Sequence, residues 1–222
     1  VAARSFFLVL EGLDGSGKDA VLSRLLGRFS DETSGNGLFL SKHQNVARTR
    51  EPTDASDSGR WIAEKLKDGS LGAEAPALVA RHYVADRKAH GREIRWLLAH
   101  GYIVLSSRYD LSTFAYQGAQ GVPMHDLYGI HGYAQGECPV PDLTLFIDVD
   151  AQTAMERIER RGGEKEFFEK RATLEKVRGA YLEAIAFLRE RDRRALTVID
   201  ASGSLDEVCA LAERAVAEKI RG

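Results

Sequence analysis

Glu11-Gly12-Leu13-Asp14-Gly15-Ser16-Gly17-Lys18-Asp19-Ala20 fits the phosphate-binding pattern G-x-x-x-x-G-K-[ST] as far as the lysine. It departs from the pattern at Asp19, where a magnesium-binding hydroxyl is expected. The preceding run Phe6-Phe7-Leu8-Val9-Leu10 is short and continuously apolar, as suits a strand covered on both faces of a parallel sheet. After the loop, Val21, Leu22, Leu25, Leu26 and Phe29 recur at helical spacing. A strand–loop–helix context is what the motif requires. Its glycines let backbone amides close around an anion, and the helix N-terminus adds the positive end of a dipole. Gly12, Leu13, Asp14, Gly15, Ser16, Gly17, Lys18 and Asp19 therefore form a candidate nucleoside triphosphate loop, with Lys18 directed at the β- and γ-phosphates. A glycine-rich turn without a ligand is the plainer reading, and the flanking strand and helix weigh against it.

Working outward, further strands are expected at Val46–Arg50, Tyr102–Ser106, Leu143–Asp148 and Leu196–Ile199, with helical patterns between them. This alternation predicts an α/β chain of the P-loop NTPase fold, with a five-stranded parallel sheet flanked by helices, in one domain over residues 1–222. Ser30–Gly37 is polar and turn-rich and reads as a surface connection. Gln117–Val140, with five glycines among aromatics and prolines, is left without assigned elements. Arg161-Gly162-Gly163-Glu164-Lys165 interrupts a charged helical stretch and reads as a flap, or LID, over about 157–168. Ligands of open parallel sheets gather at the carboxyl ends of strands. The loop after Leu10, Arg50-Glu51-Pro52 and Ser107-Arg108-Tyr109 all occupy such ends.

The 222 residues carry a formal charge of −2, which argues against a general nucleic-acid binder. Arginine clusters must then serve small anions or ion pairs. Cys138 and Cys209 stand apart without metal-ligand spacing, so a reducing, cytoplasmic setting is expected. No apolar run approaches the ~18 residues of a membrane span, and no secretory signal is visible.

Taken with the loop, Thr49-Arg50-Glu51-Pro52, Tyr83-Val84-Ala85-Asp86-Arg87, Ser107-Arg108-Tyr109, Leu111-Ser112-Thr113-Phe114-Ala115-Tyr116-Gln117 and Pro141-Asp142-Leu143 give the chain a specific likeness from about Phe6 to its C-terminal helix. It resembles the thymidylate kinases, which move the γ-phosphate of ATP onto dTMP. The resemblance implies ATP with Mg²⁺, dTMP as acceptor and a homodimer.

It also implies roles for residues. Arg50 and Arg108 resemble the arginines that clamp the dTMP phosphate, a task suited to a guanidinium fork. A surface ion pair would explain either one alone, but two at neighbouring strand ends favour the clamp. Tyr83 and Arg87 share a helix face and resemble an aromatic platform for thymine and a donor to a base carbonyl; the plainer reading makes Tyr83 core. Thr113 and Gln117 resemble residues that reach the polar edge of the base. Tyr116 resembles the tyrosine beneath the deoxyribose that disfavours a 2′-hydroxyl. Asp14 matches a carboxylate near the acceptor sugar, and Glu51 belongs to the Arg-Glu-Pro signature. Arg157, Arg160 and Arg161 share one helix face, and Glu156 and Glu159 could simply pair with them. Because Asp14-Gly15-Ser16-Gly17 contains no arginine, the resemblance assigns the catalytic positive charge to the flap, with Arg157 over adenine and Arg160 and Arg161 at the transferring phosphoryl group.

The chain departs from the family pattern twice. Asp19 stands where Ser or Thr is usual, and Ser107 stands where the signature carries aspartate. These positions flank the magnesium from opposite sides. One reading is a reciprocal exchange that keeps one carboxylate and one hydroxyl at the metal, with Asp19 and Ser107 as its protein ligands. The others are a decayed kinase, or Asp19 serving only the first turn of its helix. The expected chemistry is in-line transfer from ATP to dTMP, with Lys18, Arg108, Asp14, Arg160 and Arg161 as the catalytic set. A kinase for another monophosphate such as dUMP, or a nucleotide-binding regulator, stands as the rival. A deoxynucleoside kinase fits less well, because its neutral acceptor gives two phosphate-clamping arginines nothing to hold.

Overall fold

The computed structural model describes residues 5–30, 45–161 and 171–221. Five parallel strands, β1 (Phe6–Glu11), β2 (Val46–Arg50), β3 (Ile103–Ser107), β4 (Leu143–Asp148) and β5 (Leu196–Asp200), form one sheet in the order β2-β3-β1-β4-β5. Helices α1 (Lys18–Ser30), α2 (Asp57–Lys67), α3 (Pro76–Ala99), α4 (Asp110–Gly118), α5 (Met124–His131), α6 (Ala151–Arg161), α7 (Arg171–Asp192) and α8 (Leu205–Arg221) connect and cover it. The α/β class and the five-stranded parallel sheet agree with the sequence reading.

The apolar run of β1 is continuous because both sides of this central strand are covered. Phe6, Leu8 and Leu10 join the larger core with Val21, Leu22 and Leu25 of α1 and Tyr181 of α7. The alternate residues Phe7 and Val9 pack on the other face with Ile94 of α3, Val104 and Tyr109. Strand alternation thus assigns each residue of the run to one of two cores. Asp142 anchors the next strand. Its Oδ2 accepts from the Phe7 amide at 2.8 Å, and its own amide donates to the Phe7 carbonyl at 2.9 Å.

Several strands end one residue later than the sequence suggests. Glu11 pairs with Phe146, Ser107 lies opposite both Leu10 and Arg50, and Asp200 lies opposite Asp148. Glu11 and Ser107 are buried polar residues, so an apolar pattern could not reveal that the ladder continues through them. The unassigned Gln117–Val140 stretch contains the end of α4, all of α5 and a short 3₁₀ turn at Tyr133–Gln135. Its glycines act as punctuation: Gly132 follows α5 at φ 65° and Gly136 follows the turn at φ 67°. The connection expected over Ser30–Gly37 lies, beyond Ser30, outside the described residues.

Strand order reverses around β1, so the ends of β1, β2 and β3 converge where a parallel sheet offers a binding crevice.

Candidate active site

The loop after β1 needs glycine for two separate reasons. Gly15 has φ 84°, and a Cβ there would fall 2.3 Å from the Ala154 carbonyl of α6. Gly17 has open space around it but φ 90°, a conformation costly for a side-chain-bearing residue. Leu13 is fully buried in the core, so its side chain anchors the loop and only its backbone faces a ligand. α1 begins at Lys18, which places its free amides and positive dipole end at the loop.

Lys18 is only 6% exposed. Its ammonium lies 3.5 Å from Asp14 Oδ1 and 3.7 Å from Asp19 Oδ2. Burial and the nearby Arg108 pull its pKa below the ordinary lysine value, against the two carboxylates. Across the loop, the Ser107 hydroxyl donates to Asp19 Oδ1 at 2.6 Å. Burial alone would raise the Asp19 pKa, but Lys18, that hydrogen bond, Arg108 and Arg48 together hold it below its ordinary value.

Arg108 connects the loop to the opposite wall. It adopts φ 63°, an uncommon conformation for a non-glycine residue. Its amide donates to the Leu10 carbonyl at 2.9 Å, and its carbonyl accepts from Ser106 Oγ at 2.8 Å. The guanidinium forms a short ion pair with Asp14. It also donates to Ser112 Oγ at 3.1 Å, Tyr181 Oη at 3.2 Å and Tyr116 Oη at 3.2 Å. Burial opposes ionisation of Asp14, but Arg108 and Lys18 hold its carboxyl far below the ordinary carboxylate range.

Beneath this wall lies Glu11, fully buried. Oε1 accepts from the Tyr109 and Ser112 amides at 2.8 and 3.1 Å, while Oε2 accepts from Ser112 Oγ at 2.5 Å and Tyr181 Oη at 3.2 Å. Tyr109 precedes α4 and provides no side-chain cap. Glu11 therefore caps that helix from the strand that opens the phosphate loop. Burial raises its pKa, with Arg108 and these hydrogen bonds opposing.

A second buried cluster supports the far wall. Arg87 is fully buried and pairs with Glu51, its Nη2 lying 2.6 Å from Oε2. It also donates to the Tyr109 carbonyl at 2.9 Å, Thr113 Oγ1 at 3.1 Å and His131 Nε2 at 2.9 Å. Its Nε also donates to Glu51 Oε2 at 2.8 Å, so among the described residues one Nη1 hydrogen has no acceptor. The other Glu51 oxygen lies 3.0 Å from His90 Nδ1, and His90 Nε2 lies 2.6 Å from Thr49 Oγ1. Asp86 fixes the connection after β2 by accepting from the Thr53 amide at 2.7 Å and from the Thr53 and Ser56 hydroxyls at 2.6 Å each.

Between these walls opens a cavity of about 880 Å³. Asp14, Lys18, Asp19, Arg50, Tyr83, Arg87, Ser107, Arg108, Thr113, Tyr116 and Gln117, all singled out in the sequence, line it. So does Arg48, which the sequence reading passed over. Thr113 and Gln117 are each 1% exposed, and Gln117 Oε1 is buried without a hydrogen-bond partner among the described residues. Tyr83 is half-buried. The wall carries Lys18, Arg48, Arg50, Arg87 and Arg108 against Asp14, Asp19 and Glu51, an excess of positive charge suited to a phosphorylated ligand.

Among the described residues, neither Arg157 nor Arg160 lines this cavity. Arg157 donates to the Ser16 carbonyl at 3.2 Å and the Ala201 carbonyl at 3.0 Å, which places it on the loop's other side. Arg160 is exposed and bonds the Glu156 carbonyl at 3.3 Å. Arg161 closes α6, but its side chain and residues 162–168 of the expected flap lie outside the described residues. Glu11, His90, Ser112, His131 and Tyr181 were missed because their significance lies in long-range contacts. Arg48 had a local signal, since it stands two residues before Arg50 on one strand.

Comparison with known proteins agrees with this geometry. The family model described as Thymidylate kinase matches residues 10–211. A probable thymidylate kinase of Pyrobaculum aerophilum is 39% identical over 206 residues, covering 92% of each chain. Thymidylate kinases of Syntrophotalea carbinolica and Caulobacter vibrioides are 35% and 34% identical, covering 92% and 98% of both chains respectively. With a phosphate loop and an arginine-rich cavity meeting at the carboxyl ends of the strands, and with the family match spanning both, the chain belongs to the thymidylate kinase family.

Proposed function

We propose that this protein transfers the γ-phosphoryl group of ATP to the phosphate of dTMP, yielding dTDP and ADP. The observation that carries this reading is the family match over residues 10–211, which includes both the phosphate loop and the cavity. Local chemistry supports the base assignment. The buried, unpartnered Gln117 Oε1 suits a donor such as the N3–H of thymine, whereas cytosine offers only an acceptor at N3.

In this reading the loop amides and Lys18 hold the ATP phosphates, and Arg50 and Arg108 hold the acceptor phosphate. Tyr83 stacks on the base, while Thr113, Gln117 and the remaining Arg87 donor meet its polar edge. Asp14 and Tyr116 face the sugar. Arg157 packs over adenine, and Arg160 and Arg161 meet the transferring phosphoryl group. The acceptor oxygen is already a nucleophile, so positioning and charge neutralisation account for the rate without a strong base.

Asp19 and Ser107 fit a magnesium site. Both offer hard oxygens on the cavity wall beside Lys18, and the Asp19 side chain is 56% exposed with a lowered pKa. Among the described residues no cluster of three or more His, Cys, Asp or Glu could hold a metal. Mg²⁺ is usually held by one or two carboxylates with substrate phosphates and water, a part that Asp19 would suit. When bound, it would neutralise charge on the ATP phosphates. We further read residues 1–222 as one domain acting in the cytoplasm as a homodimer, with no nucleic-acid or membrane partner. No described helix is long and apolar enough to cross a membrane.

The test is a panel of dTMP, dUMP, dCMP, dGMP and UMP with ATP and Mg²⁺. dTMP should give the highest kcat/KM; a clear preference for another monophosphate overturns the base assignment.

A further inference from the structure

Arg48 and Arg50 lie two residues apart on β2, so their side chains leave the same side of the strand. Both are exposed, and both line the cavity. Neither forms a hydrogen bond or ion pair among the described residues. The other cations of the wall are engaged: Lys18 with Asp14 and Asp19, Arg87 with Glu51, and Arg108 with Asp14. The excess positive charge of the cavity is therefore concentrated on Arg48 and Arg50, and it matches a dianionic phosphate.

We propose that Arg48 binds the acceptor phosphate beside Arg50, as a further substrate-binding residue of the cavity. The inference deepens the reading of this cavity as the dTMP site and rests on it. Arg108 shares that clamp, but its guanidinium is also divided among Asp14, Ser112, Tyr181 and Tyr116, so less of its fork is left for the phosphate. A guanidinium without a partner can offer a phosphate its full fork.

Asp19 gives a reason for an extra arginine here. A carboxylate in place of a neutral hydroxyl adds negative charge where polyanions must bind. Arg48 lines the same cavity as Asp19. It offsets that added charge from the acceptor side.

The test uses the full-length protein with Arg48→Gln and Arg48→Lys. Steady-state KM values are measured for dTMP and ATP, and binding is measured for dTMP and for thymidine, which lacks the phosphate. Losing one charge-assisted contact predicts a rise of about 10- to 100-fold in the dTMP KM of Arg48→Gln. The ATP KM and thymidine affinity should change little, and Arg48→Lys should recover part of the loss. A dTMP KM close to wild type, or a rise confined to ATP, overturns the proposal. Equal losses for dTMP and thymidine would also overturn it, because a folding or base-pocket defect would then explain the effect. If the wild-type protein neither binds nor phosphorylates dTMP, the reading of the cavity has failed and the proposal falls with it. With wild-type turnover intact, only the role of Arg48 is at stake.

Discussion

The Ser107 hydroxyl donates a 2.6 Å hydrogen bond to Oδ1 of Asp19 across 88 residues of chain. The two positions at which the sequence departs from its family pattern are therefore in direct contact. If they form one exchanged unit, their effects will not be independent. Asp19→Ala should lower kcat/KM for ATP by about 10- to 100-fold, the scale of a lost charged contact, and raise the Mg²⁺ concentration giving half-maximal rate. The exchange Asp19→Ser with Ser107→Asp should restore more activity than the product of its single variants allows. A multiplicative result in the double-mutant cycle would show that the positions act separately.

Gln117 should discriminate by base. Gln117→Leu leaves the cavity's shape largely intact and removes its unpartnered buried acceptor. A loss of about 1–3 kcal/mol, or roughly 5- to 150-fold in kcat/KM for dTMP, is expected from an unpaired polar edge on the bound base. Kinetics across the monophosphate panel reads this directly, and an unchanged preference would remove Gln117 from base recognition.

His131 predicts a pH dependence of stability. Its ring stacks 5.0 Å from both Phe114 and Tyr133. Arg87 can only donate, so Nε2 must accept and the proton resides on Nδ1, which donates to the Leu127 carbonyl at 2.6 Å. Burial first, and then Arg87, lower its pKa from 6.5 to about 3, with Asp110 and the Leu127 bond opposing. Between those values the unfolded chain takes up a proton that the folded chain refuses, so stability falls as pH drops below 6.5. The melting temperature should decline from pH 7 to pH 5. His131→Asn should begin lower at pH 7 but decline less; an equal decline in both proteins would contradict this.

Glu11 should separate a cap from a charge. Glu11→Ala strands the Tyr109 and Ser112 amides, each at a cost of about 1–3 kcal/mol. It should lower thermal stability and raise the KM for dTMP, because α4 carries Thr113, Tyr116 and Gln117. Glu11→Gln keeps one carbonyl acceptor for those amides and removes a buried charge, so it should melt closer to wild type than Glu11→Ala. Equal destabilisation of the two variants would show that the charge, rather than the cap, matters.

The sequence was most legible where chemistry is local. The apolar run Phe6–Leu10, the glycines and Lys18 marked the loop. Arg50, Tyr83, Thr113 and Gln117 stood out through the family resemblance, at a strand end or at helical spacing. What stayed hidden depends on distant partners. Glu11 caps a helix that begins nearly a hundred residues later, and Arg87 is held by Glu51 and His131 from separate elements. The α5 region was obscured by glycines that end helices, and Arg48 was overshadowed by the motif that starts one residue later.

The central claim is phosphoryl transfer to dTMP, and ³¹P NMR of wild-type protein with ATP, dTMP and Mg²⁺ tests it most directly. The account predicts that the dTMP phosphate and ATP γ-phosphate signals decline together as the paired phosphates of dTDP appear with ADP. Inorganic phosphate accumulating while dTMP persists, or spectra that do not change, would contradict it.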